Sequence, residues 1–137
     1  MSEASDDTVR QPAIRVLMMP KDTNALGTIF GGIILSYIDQ AGAVEAYRHG
    51  AGRLVTVAMR EVVFHQPVFV GDLVSFFTAT ERLGRTSITV RVVVEAERQR
   101  GEQAHVRVKV TEAEVVFVHV DAHGQPAPIV PPTPDAP

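Results

Sequence analysis

From Thr86 to Arg98 apolar and polar side chains alternate. Ile88, Val90, Val92, Val94 and Ala96 hold one phase; Ser87, Thr89, Arg91, Glu95 and Glu97 hold the other, with Val93 the exception. A period of two puts one set on a core and the other in water, which predicts a strand with a single buried face. Similar β-branched and aromatic runs cover Leu54 to His65, Asp72 to Leu83 and Ala104 to Val120. In the last run Val106, Val108 and Val110 keep one phase while Ala113, Val115 and Phe117 keep the opposite one. That switch predicts a bulge or bend near Thr111 to Glu114. Ile14 to Met19 reads as a fifth, shorter strand stopped by Pro20, and Lys21 to Thr28 as a polar loop with Asn24 and Gly27 as turn formers.

Between this loop and the long strands the pattern is helical. Ile33, Ile34, Leu35, Ile38, Ala41, Gly42, Ala43, Val44 and Ala46 leave almost no continuous polar face, as in a buried helix. It starts near Gly31 or Gly32 and runs to about Tyr47 or Arg48, where His49-Gly50-Ala51-Gly52 supplies glycine for a left-handed end. Asp39 is a lone carboxylate in its middle, where burial of charge is costly and chemistry is a frequent reason to keep it. Connections follow at Pro67 and Val70-Gly71-Asp72, at Gly84-Arg85 as a two-residue hairpin loop, and at Arg100-Gly101-Glu102. Such short links predict antiparallel neighbours. One helix and five strands make an α+β domain over 13–123, its five-stranded antiparallel sheet curved around one long central helix. One sheet covers one side of an all-apolar helix, so a second copy of the chain is expected on the other, in an isologous dimer.

Composition narrows the functional classes. With 137 residues and 45% hydrophobic side chains there is one core to build. Residues 1–12 form a polar tail and 124–137 a proline-rich one, and both are expected to be disordered. Thirteen Lys and Arg against 16 Asp and Glu give a net charge of −3, so no global basic field suggests a nucleic-acid partner. The absence of Cys excludes a disulfide framework and a thiol nucleophile. No secretory signal or membrane-length apolar stretch is seen, which makes a cytoplasmic address, away from membranes, the expectation. The five histidines have no metal-ligand spacing. His119 and His123 lie where a strand passes into a tail, and His65 reads as a strand-end surface residue.

The stretch Pro20 to Ala43, P-K-D-T-N-A-L-G-T-I-F-G-G-I-I-L-S-Y-I-D-Q-A-G-A, resembles the signature of hotdog-fold acyl-CoA thioesterases, closest to the YciA-like branch. The likeness continues through Val55-Thr56-Val57-Ala58, Phe64, Pro67-Val68, Val70-Gly71-Asp72 and Gly84-Arg85-Thr86-Ser87. It implies a hotdog fold and hydrolysis of acyl-CoA to a carboxylic acid and coenzyme A. Coenzyme A would enter as part of the substrate, with no separate cofactor and no metal. Self-association would give a dimer, or a trimer of dimers.

Thioester hydrolysis needs an activated water or a carboxylate nucleophile, and donors for the carbonyl oxygen as it gains charge. The resemblance casts Asp39 as general base or nucleophile. Asn24, of the D-T-N motif, would help position substrate or water across the dimer interface; as a bare turn former it would only bond nearby backbone. Free N–H groups of Gly31 and Gly32 at the helix start suit the oxyanion. Phe30 and Ile34 would wall an acyl pocket, and the resemblance adds Thr56 as a substrate contact. Gly84, Arg85, Thr86 and Ser87 would lie along the coenzyme groove, Arg85 holding phosphate, with Arg48, Arg53, Arg60 and Arg82 as weaker candidates. A hotdog dehydratase would need a His before Arg48, and none occurs. The alternative from another class is a non-catalytic acyl-CoA-binding module.

Overall fold

The alternation in the strands is carried into their packing. Ile88, Val90, Val92, Val94 and Ala96 are all completely buried, against Val74, Phe76, Val110, Ala113, Val115 and Phe117 from neighbouring strands. Burial of each such aliphatic or aromatic side chain contributes about 1.5–3 kcal/mol. The computed structural model describes residues 10–99, 101–102 and 104–130. In chain order it has β1 (Ile14–Leu17), a 3-10 turn (Pro20–Asp22), α1 (Gly31–Tyr47), β2 (Leu54–Phe64), β3 (Leu73–Leu83), β4 (Ser87–Glu97) and β5 (Arg107–His119). The strands form one antiparallel sheet in the order β1-β3-β4-β5-β2, with α1 packed against β2, β3, β4 and β5. This is the expected α+β architecture.

The predicted phase switch in β5 is present one residue early. Val94 pairs with Thr111 and Glu95 with Lys109, so Val110 is the extra residue. Val110 and Thr111 are consequently both fully buried, and the two halves of β5 each keep their apolar side inward.

One connectivity expectation fails. The short link after β2 predicts that β2 and β3 pair, but β4 and β5 lie between them. Residues 65–72 cross the end of the sheet, a reach well within eight extended residues at about 3.3 Å each. Local docking diverts the chain: Val68 is buried, its carbonyl accepts Ile29 N–H at 2.8 Å, and Phe69 bridges Thr28. Asp72 then fixes the turn into β3, its carboxylate accepting Phe69 N–H at 2.9 Å and lying 3.6 Å from Arg98 Nη1.

The helix buries Ile34, Ile38, Ala41, Gly42 and Ala46. A Cβ on Gly42 would come within 3.0 Å of the Phe117 ring, so glycine sets how closely helix and sheet approach. Gly50, at φ +84°, ends the helical segment in the left-handed conformation. Contrary to expectation, Asp39 is half-buried, not buried, in a single chain. Only one flank of α1 meets the sheet. Val44 and Tyr47 on the helix and Val55, Val57 and Phe64 on the edge strand β2 remain exposed. The buried carboxylates among the described residues are Asp22 and Asp72.

The predicted tails are shorter than expected. Arg10 pairs with Glu95 at 3.1 Å and stacks over the Phe77 ring, while Ala13 N–H donates to Phe76 O, so residues 10–13 run along β3. Residues 124–130 fold back: Val120 bridges Pro126, Ala127 N–H donates to His119 O, and Ile129 packs on the core. The remaining tail residues, 1–9 and 131–137, lie outside the described residues. No helix is long and apolar enough to cross a membrane among the described residues.

Candidate active site

Asp39 is presented by the middle of α1 where the helix passes β2. Thr56 Oγ1 donates to Asp39 Oδ1 at 2.6 Å, and Oδ2 takes no donor among the described residues. Among the described residues no cation pairs with Asp39. The arrangement therefore orients one carboxylate oxygen and leaves the other open on the uncovered flank of the helix. Thr56, expected as a substrate contact, is here the residue that holds Asp39.

The start of α1 is a second locus. Phe30 gives no side-chain cap, and the N–H groups of Gly31 and Gly32 have no acceptor among the described residues. They carry the positive end of the helix dipole. A Cβ on Gly31 would meet Phe64 at 3.2 Å, whereas the space around Gly32 is open. A cavity of about 330 Å³ lies beside Gly31, walled by Ile29, Ile34, Phe64, Pro67 and Val68. Ile34 lines this cavity, whereas Phe30, 52% exposed in the single chain, does not.

Asn24 sits in the loop before the helix with its side chain engaged locally. Its Oδ1 accepts the N–H groups of Leu26 (2.8 Å) and Thr28 (3.1 Å), and its Nδ2 donates to Thr28 Oγ1 (2.9 Å). One Nδ2 hydrogen is left over. Within one chain the turn-forming role is what the contacts support.

The third locus is the β3–β4 hairpin. Its turn lies over Arg85-Thr86, one residue later than expected, with Gly84 N–H donating to Ser87 O at 2.8 Å. Arg85 is exposed, and among the described residues neither it nor Arg82 pairs with a carboxylate, while Arg53, at the same end of the sheet, helps hold the Asp121 carboxyl below its ordinary range. Arg60 and Arg48 are committed elsewhere, to Glu114 at 2.8 Å and Glu45 at 3.8 Å. His65 pairs with Glu112 at 2.7 Å, a contact that, with Lys109, holds the Glu112 carboxyl below its ordinary range.

The three loci are separate in one chain. Gly31 and Asp39 are eight residues apart on one helix, roughly 12 Å at about 1.5 Å per residue. Sequence reasoning named Phe64 only as part of the resemblance, without its place in the cavity wall, and missed Glu45, whose carboxylate accepts Thr78 Oγ1 at 3.0 Å and Thr80 Oγ1 at 2.8 Å. The Thr-x-Thr spacing on β3, in phase with buried Val74 and Phe76, was its available signal.

Residues 26–103 match the thioesterase superfamily. Over 116 residues the chain is 40% identical to the acyl-CoA thioester hydrolase YciA of Salmonella typhimurium, covering 85% of this chain and 87% of that protein. A hexameric hotdog fold thioesterase of Campylobacter jejuni superposes with a TM-score of 0.83 at 42% identity, over 88% of this chain and 90% of that one. A hexameric broad specificity acyl-coenzyme A thioesterase, crystallised as a mutant with an aspartate changed to alanine, gives 0.84 at 38% identity over 92% and 89%.

Proposed function

The chain belongs to the thioesterase superfamily, in its branch of hotdog-fold acyl-CoA thioester hydrolases, and we propose that it hydrolyses acyl-CoA through Asp39. The observation that carries this reading is the carboxylate with one oxygen tied to Thr56 and the other open. As a general base, Asp39 takes a proton from water, whose oxygen attacks the thioester carbon. The oxyanion rests on backbone N–H groups, the C–S bond breaks, and the proton returns from Asp39 to the coenzyme A sulfur. As a nucleophile, the same oxygen attacks directly, and water opens the resulting anhydride.

A thioester 3 Å from Asp39 is out of reach of the same chain's Gly31 and Gly32 amides. The oxyanion donors are therefore taken from a second copy, whose helix start lies along the exposed flank of α1. Exposed Val44, Tyr47, Val55 and Val57 supply the apolar surface such a dimer would bury. The two similar solved structures are hexameric, which three such dimers would satisfy. Asn24, in the loop before the helix, belongs to the donor side of the shared site, with its remaining Nδ2 hydrogen directed to substrate or water. The Arg85-Thr86 turn, flanked by Arg53 and Arg82, receives the coenzyme's phosphates.

The test is thiol release from a panel of short, long and aromatic acyl-CoAs, combined with subunit mixing. Asp39→Asn and Gly32→Trp assemblies are each expected to be inactive, and in the single chain a Cβ added at Gly32 meets nothing within 4 Å. Refolded together, they form mixed dimers with one intact site and regain turnover. Mixed assemblies as inactive as the parents would show that both groups act from one chain or that one of them is misassigned. Binding without turnover by the parent protein would favour the acyl-CoA-binding module instead.

A further inference from the structure

We infer that the C-terminal segment from Asp121 to Ile129 is a positioning strap that holds the β3–β4 turn in the form that binds the coenzyme. This rests on the reading that the Arg85-Thr86 turn contacts coenzyme A phosphates. Residues in tight hairpin turns normally leave their carbonyls to water. Here both turn carbonyls are held by chain from outside the hairpin: Arg85 O accepts Ile129 N–H at 2.9 Å, and Thr86 O accepts His119 N–H at 2.8 Å. None of Gly84, Arg85, Thr86 and Ser87 has positive φ, so the turn lacks the mirror-image geometry that fits strand twist unaided.

The consequence follows from peptide geometry. In a trans peptide the C=O of one residue and the N–H of the next point in opposite directions. Fixing Arg85 O on Ile129 turns the Thr86 N–H away from the strap, and no acceptor among the described residues takes that N–H or the Arg85 N–H. The Thr86 hydroxyl and the Arg85 guanidinium likewise have no side-chain partner among the described residues. Two free amides, a hydroxyl and a guanidinium on one turn form a site for an anion with several oxygens.

The strap is itself braced. Asp121 N–H donates to Gln125 O at 2.8 Å, and Asp121 Oδ1 accepts the N–H groups of His123 and Gln125 at 2.8 and 3.0 Å. Ala127 N–H donates to His119 O at 2.9 Å, and His119 Nδ1 lies 3.0 Å from Ala127 O and 3.1 Å from Pro128 O. Since both of its partners are carbonyls, that nitrogen carries the hydrogen. In P-A-P-I, the prolines 126 and 128 have no N–H, and the residues between and after them supply the donors. The side chain of Ile129 anchors the far end against the core.

The experiment uses full-length protein and two thioesters of one acyl group, on coenzyme A and on N-acetylcysteamine, which lacks the nucleotide. Ile129→Pro deletes the N–H that meets Arg85 O; Ile129→Val keeps it. Ile129→Pro is expected to raise KM for acyl-CoA about threefold to tenfold, the usual cost of ordering a loop on binding, with kcat and the short thioester's KM unchanged. Ile129→Val should match the parent. If Ile129→Pro alters both thioesters alike, or neither, the strap inference falls. Ala127→Pro, which cuts the strap from His119 instead, provides a second reading if Ile129→Pro folds poorly. Arg85→Ala separates the two claims. A rise in acyl-CoA KM for Arg85→Ala without one for the strap variants leaves the turn as coenzyme site and removes the strap. No change for Arg85→Ala removes that residue, and a selective effect of Ile129→Pro would then assign binding to the turn amides that the strap aims.

Discussion

Two carboxylates on the same helix, Asp39 and Glu45, are treated oppositely by their surroundings. Each is half-buried and each accepts threonine hydroxyls from the sheet. Glu45 has both oxygens occupied, Oε1 by Thr78 and Oε2 by Thr80, with Arg48 at 3.8 Å and His49 Nε2 bonded onward to Thr80 at 2.9 Å. Asp39 has one oxygen bonded and one open. Held on both oxygens, Glu45 fastens helix to sheet. The second oxygen of Asp39 is left to accept from a ligand or water. The two regions teach that burial and residue type do not distinguish structure from chemistry, whereas which oxygens the protein itself engages does.

The largest effect that would sharpen this contrast is expected for Asp39→Asn. Removing a general base typically costs about 10²–10⁴ in rate, so kcat should fall by that order while thermal unfolding stays near the parent's. Turnover by Asp39→Asn at the parent rate would place the chemistry elsewhere. Next comes Glu45→Ala. It removes the acceptor of two half-buried threonine hydroxyls, of which Thr80 keeps its bond to His49 Nε2, and hydrogen bonds to a charged group are worth about 1.5–3 kcal/mol. The expected result is a melting point lower by several degrees with kcat within about twofold of the parent, given that a 1 kcal/mol change moves Tm by a few degrees in a domain of this size. A fall in kcat without a loss of stability would put Glu45 in the reaction and dissolve the contrast.

Much of this was legible in the chain before any coordinates. Strict alternation in β4 and the phase switch in β5 mark which side chains are buried, because a period-2 pattern leaves little choice. The helix bounds follow from Gly31 and Gly50. What misled was everything decided by contacts distant in sequence. Link length alone predicted that β2 and β3 pair, but Val68 and Phe69 dock on the pre-helix loop and carry the chain across the sheet. A helix apolar all round suggested that Asp39 is buried, yet Asp22 and Asp72 are the buried pair, each in a tight turn where nearby backbone N–H groups make burial tolerable. Proline-rich composition suggested a free tail from 124 onward; the spacing of N–H donors between the prolines, not their number, lets 124–130 fold back. The candidate site was legible as residues but not as an assembly. Eight helical residues at about 1.5 Å each already set Gly31 about 12 Å from Asp39; what lies opposite each of them is not encoded locally.

The finest probe of the contrast is Thr56→Val, which keeps shape and removes only the hydroxyl that bonds Asp39 Oδ1 at 2.6 Å. If Asp39 works because one oxygen is tethered and the other aimed, loss of the tether frees the carboxylate to rotate and raises the barrier without emptying the site. Hydrogen bonds to charged groups are worth about 1.5–3 kcal/mol, and part of that is recovered from water at a half-exposed group. The expected outcome is a kcat lower by about tenfold, equivalent to about 1.4 kcal/mol, at a nearly unchanged KM and melting point. Thr56→Ser restores the donor and should restore most of the rate. Parent-like kcat in Thr56→Val would mean that Oδ1 needs no anchor, and the difference between Asp39 and Glu45 would reduce to position alone.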